Sequence, residues 1–390
     1  MNNIDHLGDI RILESSWNYV SIFIVFFIGF FLIFFSEKKF DTSKVRVCSL
    51  YIWHTIFCCV FIFTTSKIGG DSIFYYTASL FHERDFRLGT TAALYFTTIF
   101  TKGFSLTYIS TFMVFNIIGT YGLLALDASL RHATFDKSKY IKLLALFVVL
   151  MPSVSFWSSG IGKDSIQFLG TCLLLWSSIN FKKRIVIFVI SLIIIFIVRP
   201  HIAGIAIISL FLSLWFITSL SFSKKILYLV ITIIPLILIL PFILESVGFT
   251  RQYDYSLANL FEFLKSRQIS TMRGGASVDI IEMNFIYQLF TYLFRPLPYE
   301  VHNAFAFLSS LDNLFLLLIF IITILSVIFV KREKFVLNHS TENRWFLLIF
   351  SLIGLSILSY TTANFGISAR QKWMIMPILL YFCFQFIKVR

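Results

Sequence analysis

The chain has 390 residues, of which 58% are hydrophobic and only 14% are charged, and it contains 48 phenylalanines. Soluble globular domains carry about 25% charged residues, so this composition excludes a soluble domain and indicates a chain that lies in a bilayer. The formal net charge of +13 would suggest a nucleic-acid partner in a soluble protein. Here membrane topology explains most of it, and we expect membrane lipids and no nucleic acid as partners.

Apolar runs recur along the sequence, and most are close to the roughly 20 residues that a helix needs to cross about 30 Å of hydrocarbon. They lie at 17–35, 47–65, 104–126, 141–156, 165–180, 185–198, 202–220, 226–244, 305–330, 345–360 and 373–387. Because a membrane barrel would show short alternating segments instead, the runs predict an all-α polytopic helical bundle with about 11 transmembrane helices. We treat 1–390 as a single integral membrane domain. The acidic start of the chain lacks the features of a secretory signal, so we expect 17–35 to be a span of the mature protein.

The positions of the lysines and arginines predict the orientation of these spans. If the N-terminus is outside, the inner turns hold 19 of the 33 lysines and arginines; these turns are 36–46, 131–142, 181–184, 221–225, 331–344 and 388–390. Basic residues concentrate in the inner loops of membrane proteins. We therefore expect the N-terminus on the outer side and the C-terminus in the cytoplasm.

Two outer segments are long, namely 66–103 and 245–304. Within the second, 257–264 and 280–294 contain enough Phe, Ile and Leu to form helices on the outer interface. Structureless loops longer than about 12–15 residues are usually functional in compact domains. We therefore expect both segments to cover a site.

The positive-inside rule does not explain five cations on the outer side, which are Lys163, Arg199, Arg295, Arg370 and Lys372. Arg199 lies in a three-residue turn between two apolar runs, which predicts a position below the headgroups, where a charge costs at least about 2.5 kcal/mol. The spans that begin beside Lys163 and Lys372 also direct their positive N-terminal dipoles to this side. These features predict a shared pocket for phosphate or pyrophosphate. The alternative is that each cation reaches lipid headgroups separately.

Three outer residues are candidates for proton transfer. Asp71 follows a Gly-Gly pair directly after a span, which suits either a turn or a catalytic base. Asp164 either acts as a base or pairs with Lys163 and caps its helix. His201 either accepts a proton or is an ordinary hydrogen-bonded histidine.

Sequence patterns for other kinds of site are missing. Gly162-Lys163-Asp164 is not a phosphate loop, because Trp157 replaces the first glycine and an acid follows the lysine. The sequence has no His/Cys cluster with metal spacing and no Gly-x-Ser-x-Gly elbow. Glu83-Arg84-Asp85 is a short Glu-x-Asp match of the kind found at metal or sugar-phosphate sites. We expect neither a metal nor a cofactor.

Several short motifs together carry a family resemblance over about residues 45 to 390. In chain order they are Gly69-Gly70-Asp71-Ser72, the stretch 157–164, Arg199-Pro200-His201, Phe294-Arg295-Pro296 and the stretch 364–372. With the eleven apolar runs, they make the chain resemble the Wzy-type and EpsG-like bacterial polymerases of O-antigen or capsular polysaccharide. The resemblance implies a bacterial inner-membrane enzyme that works at the periplasmic face on undecaprenyl-diphosphate-linked oligosaccharides. Such an enzyme transfers the growing glycan to a single lipid-linked repeat unit.

The implied reaction suggests roles for the candidate residues. Breaking the bond between sugar and diphosphate leaves negative charge on the pyrophosphate, which the five cations named above would stabilise without a metal. The acceptor hydroxyl must lose a proton as it attacks, with Asp71 as the leading base and Asp164 or His201 behind it. Surfaces that contact sugars would come from Tyr75, Tyr76 and Trp157.

Other functions stay open. A GT-C-type glycosyltransferase that uses polyprenyl-monophosphate sugars would employ an acidic pair such as Glu83 and Asp85, and an O-antigen ligase would be a close variant of the polymerase. A transporter or flippase of lipid-linked sugars usually has paired repeats with broken mid-membrane helices, whereas here only Pro235 and Pro241 break a run. The sequence does not identify the sugars, the anomer or a chain-length regulator protein as a partner.

Overall fold

The parts of the chain that the structure describes are all-helical. The computed structural model describes residues 16–81, 85–216, 221–249, 257–272, 274–301, 304–329 and 342–387. In chain order the α-helices are α1 (Ser16–Phe34), α2 (Lys44–Ile68), α3 (Asp71–Leu80), α4 (Thr90–Thr98), α5 (Tyr108–Ala133), α6 (Lys139–Val149), α7 (Pro152–Ser158), α8 (Lys163–Ile179), α9 (Ile185–Val198), α10 (Pro200–Phe216), α11 (Phe222–Val247), α12 (Leu257–Thr271), α13 (Phe285–Phe294), α14 (Ala304–Phe329), α15 (Arg344–Thr361), α16 (Phe365–Gln371) and α17 (Met376–Phe386). A π-helical turn, Ile99–Gly103, follows α4, and 3₁₀ turns lie at Pro298–Glu300 and Lys372–Met374.

Seven helical stretches of the described chain are long and apolar enough to cross a membrane. They are Ser16–Phe34, Lys44–Ile68, Tyr108–Ala133, Lys139–Ser158, Phe222–Glu245, Ala306–Phe329 and Arg344–Thr361. Shorter apolar helices of 10–17 residues are Ile185–Val198, Pro200–Phe216, Phe285–Phe294 and Met376–Phe386. The long helices make this a multi-pass membrane protein, as the composition predicts. The expected count of eleven spans is not established, because it requires several of the shorter helices to cross as well.

Local sequence signals explain where several helices begin and end. Ser43 caps α2 by accepting a hydrogen bond from the Arg46 amide at 3.2 Å, and Gly69 ends that helix with a φ of +83°. Pro152 is the first residue of α7. Proline fits a first helical turn but cannot continue a preceding helix, so the predicted run 141–156 becomes two helices, α6 and α7, that meet at Met151.

Two expectations about the second half of the chain need correction. The α11 helix continues through Pro235 and Pro241, so neither proline breaks this run. Membrane helices tolerate proline because neighbouring groups can bind the carbonyls that it frees. In the segment 245–304, α12 extends beyond the predicted 257–264. Helix α13 begins five residues later than predicted, at the cap where Asn284 accepts a hydrogen bond from the Tyr287 amide at 2.9 Å.

The α5 helix lies at the centre of the bundle, where it contacts α1, α2, α6, α7, α8 and α17. Several of its buried positions hold small residues, among them Gly119, Gly122 and Ser129. Small residues let neighbouring membrane helices approach closely, since lipid provides no hydrophobic force to press helices together. The position of α5 therefore follows from its small side chains as much as from its apolar ones.

Contacts between α2 and α5 define two faces of the bundle. Near the end of α2, Thr65 shares a hydrogen bond of 2.9 Å with Tyr108 at the start of α5. Near the start of α2, Arg46 binds Asp127 in the last part of α5. The two helices are therefore antiparallel. We call the end that contains Thr65 the site face and the end that contains Arg46 the opposite face; α2 separates them by about 37 Å.

A buried polar network ties α7 to α2 and α5. His54 on α2 is fully buried, with Nδ1 at 2.6 Å from Asn116 Oδ1 and Nε2 at 2.8 Å from Ser158 Oγ. The Asn116 amide also donates to Thr55 Oγ1 at 2.8 Å. No local sequence pattern indicates these partners of His54, because they lie 62 and 104 residues away. The network fixes the end of α7, from which the chain enters the turn 159–162.

We expect Asn116→Leu to lower the free energy of unfolding by about 1–2 kcal/mol, because it leaves His54 Nδ1 and Thr55 without their buried partner. The thermal melting temperature of the purified protein in detergent measures this effect. Cys59→Ala, at an exposed position on α2, is the matched control and should leave the melting temperature unchanged. Equal melting temperatures for Asn116→Leu and the parent would contradict the structural role of the network.

Candidate anion-binding site

A cavity of about 900 Å³ opens on the site face. Six separate parts of the chain form its wall: the end of α2, the start of α3, the first residue of α4, the turn between α7 and α8, the residue between α9 and α10, and α16. These parts are far apart in sequence but share one end of the bundle. The charged residues on the wall are Asp71, Lys163, Asp164, Arg199 and Arg370.

Ion pairs link the charged residues of this cavity into a chain. Asp164 binds the Arg199 guanidinium directly, and its second oxygen lies 3.7 Å from Arg370 Nη1. The same Arg370 nitrogen also binds Asp71. Lys163 donates to the Thr90 hydroxyl at 2.9 Å instead of to a carboxylate. Three cations and two carboxylates give the cavity a net positive charge of one.

Arg199 and Asp71 differ in their exposure to solvent. Only 9% of the Arg199 side chain is exposed, and its Nε is buried without a hydrogen-bond partner among the described residues. The Asp71 side chain is 64% exposed. A buried guanidinium with an unused donor can accept an additional anionic ligand. The exposed carboxylate can be displaced at much lower cost than a buried one.

Backbone geometry adds positive potential to the same cavity. Helices α3 and α8 both begin there, each directly after a glycine: Gly70 with φ +150° and Gly162 with φ +137°. Other residues rarely adopt these φ values. The first amides of a helix have no intrahelical acceptor and carry the positive end of the helix dipole. Both N-termini therefore favour an anion in the cavity.

Three of the five cations predicted to bind diphosphate line the cavity, namely Lys163, Arg199 and Arg370. The expectation that all five converge is therefore not met. Arg295 binds Glu300, with Nε 2.8 Å from Oε1, and lies 5.2 Å above the ring of Phe365. Burial raises the pKa of Glu300, but hydrogen bonds from Arg295 and from the Leu297 amide outweigh it and lower that pKa below its usual value. Arg295 thus stabilises the turn 295–300 against the first residue of α16.

Lys372 is also absent from the cavity wall. It is buried, and Nζ donates to the Leu293 carbonyl at 3.0 Å and to Asn313 Oδ1 at 2.6 Å. Asn313 in turn donates to the Pro296 carbonyl at 3.0 Å. The ammonium therefore joins α13 and α14 immediately after α16. It helps to hold α16, which lines the cavity, in position.

The three candidate bases lie in different places. Asp71 and Asp164 line the main cavity. Asp164 pairs with the two arginines, whereas the predicted partner Lys163 donates to Thr90. His201 lines a smaller neighbouring cavity of about 470 Å³, and its Nδ1 is buried without a hydrogen-bond partner in the described part of the chain. Lys163 and Arg199 line both cavities. His201 and Asp71 therefore line different cavities, which share Lys163 and Arg199.

Two of the three aromatic residues predicted to contact sugars line the main cavity, and the third does not. Tyr75 and Trp157 line the main cavity, and the edge of the Tyr75 ring is so close to Gly162 that a Cβ there would lie 2.8 Å from it. Tyr76 instead packs against Tyr108, with ring centroids 5.2 Å apart, and does not line the cavity. Consecutive residues of a helix point about 100° apart, and on α3 it is Phe74 and Tyr75 that face the cavity, while Tyr76 faces Tyr108.

Sequence reasoning missed Thr90, which binds Lys163 and lines both cavities. Its only local signal is its position directly after Gly89, which is common to many helix starts. Glu83 of the Glu-x-Asp match lies outside the described residues, and Asp85 is exposed and does not line the main cavity. The pair therefore adds no group to the site that the structure describes.

Comparisons with known proteins give no identity for this chain. No family model, no curated protein and no solved structure matches it.

We expect Gly162→Ala to destabilise the protein by about 1–3 kcal/mol, because alanine at φ +137° is strained and its Cβ would meet the Tyr75 ring. Anion binding at the site should weaken as well, since the turn that carries Lys163 must shift. Gly103→Ala is the control, because its Cβ would meet no atom within 4 Å. Melting temperatures in detergent test the pair, and a Gly162→Ala protein as stable as Gly103→Ala would contradict the assigned backbone constraint.

Proposed function

We propose that this chain is a glycan polymerase that transfers a growing oligosaccharide from undecaprenyl diphosphate to a lipid-linked repeat unit. One observation carries the proposal: Lys163, Arg199 and Arg370 share a cavity with two carboxylates and two helix N-termini. The resemblance to Wzy-type and EpsG-like polymerases, based on short motifs that mostly map to this cavity, gives the reaction. The enzyme would lie in the bacterial inner membrane, with its N-terminus and the site face on the periplasmic side.

The charges of the cavity suit a diphosphate leaving group. As the bond between the anomeric carbon and the diphosphate oxygen breaks, the electron pair stays on that oxygen and negative charge develops there. Fixed guanidinium groups stabilise such charge in the transition state, and removal of one such donor typically costs about 10²–10³-fold in rate. Arg199 and Arg370, joined through Asp164, are positioned to act on one diphosphate together.

Exchange of ion-pair partners provides a base for the acceptor. In the resting protein Arg370 binds Asp71. A diphosphate that binds Arg370 would take the place of this carboxylate and leave Asp71 free. The acceptor hydroxyl oxygen would then attack the anomeric carbon while its proton passes to Asp71. Asp164 is held by two arginines and is less available for this role.

The wall of the cavity also accommodates a polyprenyl chain. Ile68 and Phe74 line the cavity and are 81% and 45% exposed, at the end of α2 and in α3. Exposed apolar side chains beside a membrane helix would contact lipid, so this wall would open toward the bilayer. A substrate with a charged diphosphate and a long apolar chain could enter sideways from the membrane. The smaller cavity behind Lys163 and Arg199 would receive part of the second lipid-linked substrate.

We expect Arg199→Ala and Arg370→Ala each to lower the polymerisation rate by about 100-fold or more, because each removes charge stabilisation from the leaving diphosphate. The substrate is the undecaprenyl-diphosphate-linked repeat unit, extracted from a strain in which the gene for this protein is deleted. The assay incubates the purified protein with this substrate and resolves the products as a ladder. Lys102→Ala, which removes an exposed cation of the segment 66–103 that lines neither cavity, is the control. Unchanged ladders for both arginine variants would refute the proposal.

Single-sugar addition that needs a divalent cation would indicate a monophosphate-dependent transferase, and transport without lengthening would indicate a flippase.

Asp71→Asn should separate anion binding from catalysis. Without the carboxylate that competes for Arg370, inorganic pyrophosphate should bind about fivefold more tightly, while polymerisation should nearly stop for lack of a base. Isothermal titration with pyrophosphate and the ladder assay measure the two effects. Asp85→Asn, exposed and away from the cavity wall, should change neither. Weaker pyrophosphate binding by Asp71→Asn would show that Asp71 does not compete with the ligand.

A further inference from the structure

A second charged groove lies on the opposite face, between the start of α2, the end of α5 and α6. Its volume is about 410 Å³, and its floor is the Asp127 carboxylate. Arg46 binds this carboxylate through Nη2 at 2.6 Å and Nε at 3.0 Å, and Arg131 binds it through Nε at 2.9 Å. The floor is therefore already neutralised, and it is held rigidly between two helices.

Each nitrogen of the Arg131 guanidinium already donates a hydrogen bond within the protein. Besides Asp127, it donates through Nη1 to the Asp41 carbonyl at 2.8 Å and through Nη2 to the Phe40 carbonyl at 2.7 Å. Its role is to fix the turn between α1 and α2 against α5. The charge available to a ligand must come from other residues of the groove.

One stripe of α6 supplies this charge and continues as apolar surface. Lys139, Lys142, Leu143 and Leu146 all line the groove. Their spacing of three, one and three residues places them on a single side of the helix. The stripe begins at the opposite face with two lysines and continues toward the middle of the bundle with two leucines, over about 10 Å. Both lysines are exposed, as is Leu143.

The groove has an excess of positive charge beside an apolar wall. Four cations line it against one carboxylate, and the carboxylate is shared by the two arginines. Lys139 lies 5.4 Å above the Tyr140 ring, and among the described residues that line the groove Asp127 is the only acid. A complementary occupant has an anionic group at the level of the lysines and hydrocarbon at the level of the leucines. An anionic phospholipid of the adjacent leaflet has both, in that order.

We propose that the groove between α2, α5 and α6 is a binding site for an anionic glycerophospholipid. The phosphate binds between Lys139 and Lys142, and one acyl chain follows Leu143 and Leu146. The site is independent of the diphosphate cavity, which lies at the other end of α2. It anchors the α5–α6 connection at a fixed depth in the membrane.

Native mass spectrometry in detergent tests this site with phosphatidylglycerol, against phosphatidylcholine with the same acyl chains. We expect selective binding of phosphatidylglycerol to the parent protein, weakened about tenfold or more in Lys139→Gln/Lys142→Gln, because each lysine contributes electrostatic attraction to the lipid phosphate. Lys182→Gln/Lys183→Gln is the matched control, since it removes two exposed lysines of the same face outside the groove. It should keep the affinity of the parent. Lys142→Glu, a single change at an exposed position, serves as a second variant.

Three results would overturn the proposal: equal binding of the two lipids, equal losses in the two double variants, or binding unaffected by Lys142→Glu. Soluble glycerol 1-phosphate provides a further arm. If it competes as well as phosphatidylglycerol does, the ligand is a free phosphate ester and not a lipid. Because the readout is lipid affinity, none of these results bears on polymerisation, so the two proposals fail separately.

Discussion

Charge at the ends of apolar helices constrains this protein more than any other feature. Arg199 is nearly buried between α9 and α10, where an unpaired guanidinium would be costly. Asp164 binds it from the start of α8, and the same carboxylate approaches Arg370 on α16, which in turn binds Asp71 on α3. A single chain of ion pairs thus joins four elements that are far apart in sequence. If one of these elements moved, a charge would lose its partner. The ion pairs therefore fix the relative positions of the elements at the site face.

Residues outside the cavity hold the elements that carry these ion pairs. Arg295 holds the turn 295–300 and contacts the ring of Phe365, the first residue of α16. Lys372 joins α13 and α14 directly after α16. The His54 network fixes the end of α7, from which the turn to Lys163 starts. These groups act on the site through other residues. They explain why a membrane protein with few charged residues retains charges that do not face the cavity.

The sequence predicted that these charged residues lie at the ends of apolar helices but not the direction in which each side chain points around the bundle. Apolar runs identified the helices, and the ends of these runs identified Lys163, Arg199 and Arg370, which line one cavity on the site face. Arg295 and Lys372 also lie at the ends of apolar runs, yet they bind Glu300 and join α13 to α14. Glu300, five residues after Arg295, was a local signal for that pair. For Lys372 no local signal exists, because its partner Asn313 lies 59 residues away. Pairing across distant helices is set by packing, which a single sequence does not encode in any short pattern.

The resting ion pairs also bear on which anions the cavity can select. With three cations and two carboxylates, the cavity keeps a net charge of only one, so a monovalent anion gains little by displacing a carboxylate. A diphosphate carries more charge and spans a greater distance. It can bind Arg370 in place of Asp71 and also reach the unused donor on buried Arg199. Gains at both arginines offset the cost of breaking the exposed pair, which is small. Under the proposed function, the carboxylates would act as internal competitors that set a threshold of charge and size, and they would favour a diphosphate over chloride or a single phosphate ester.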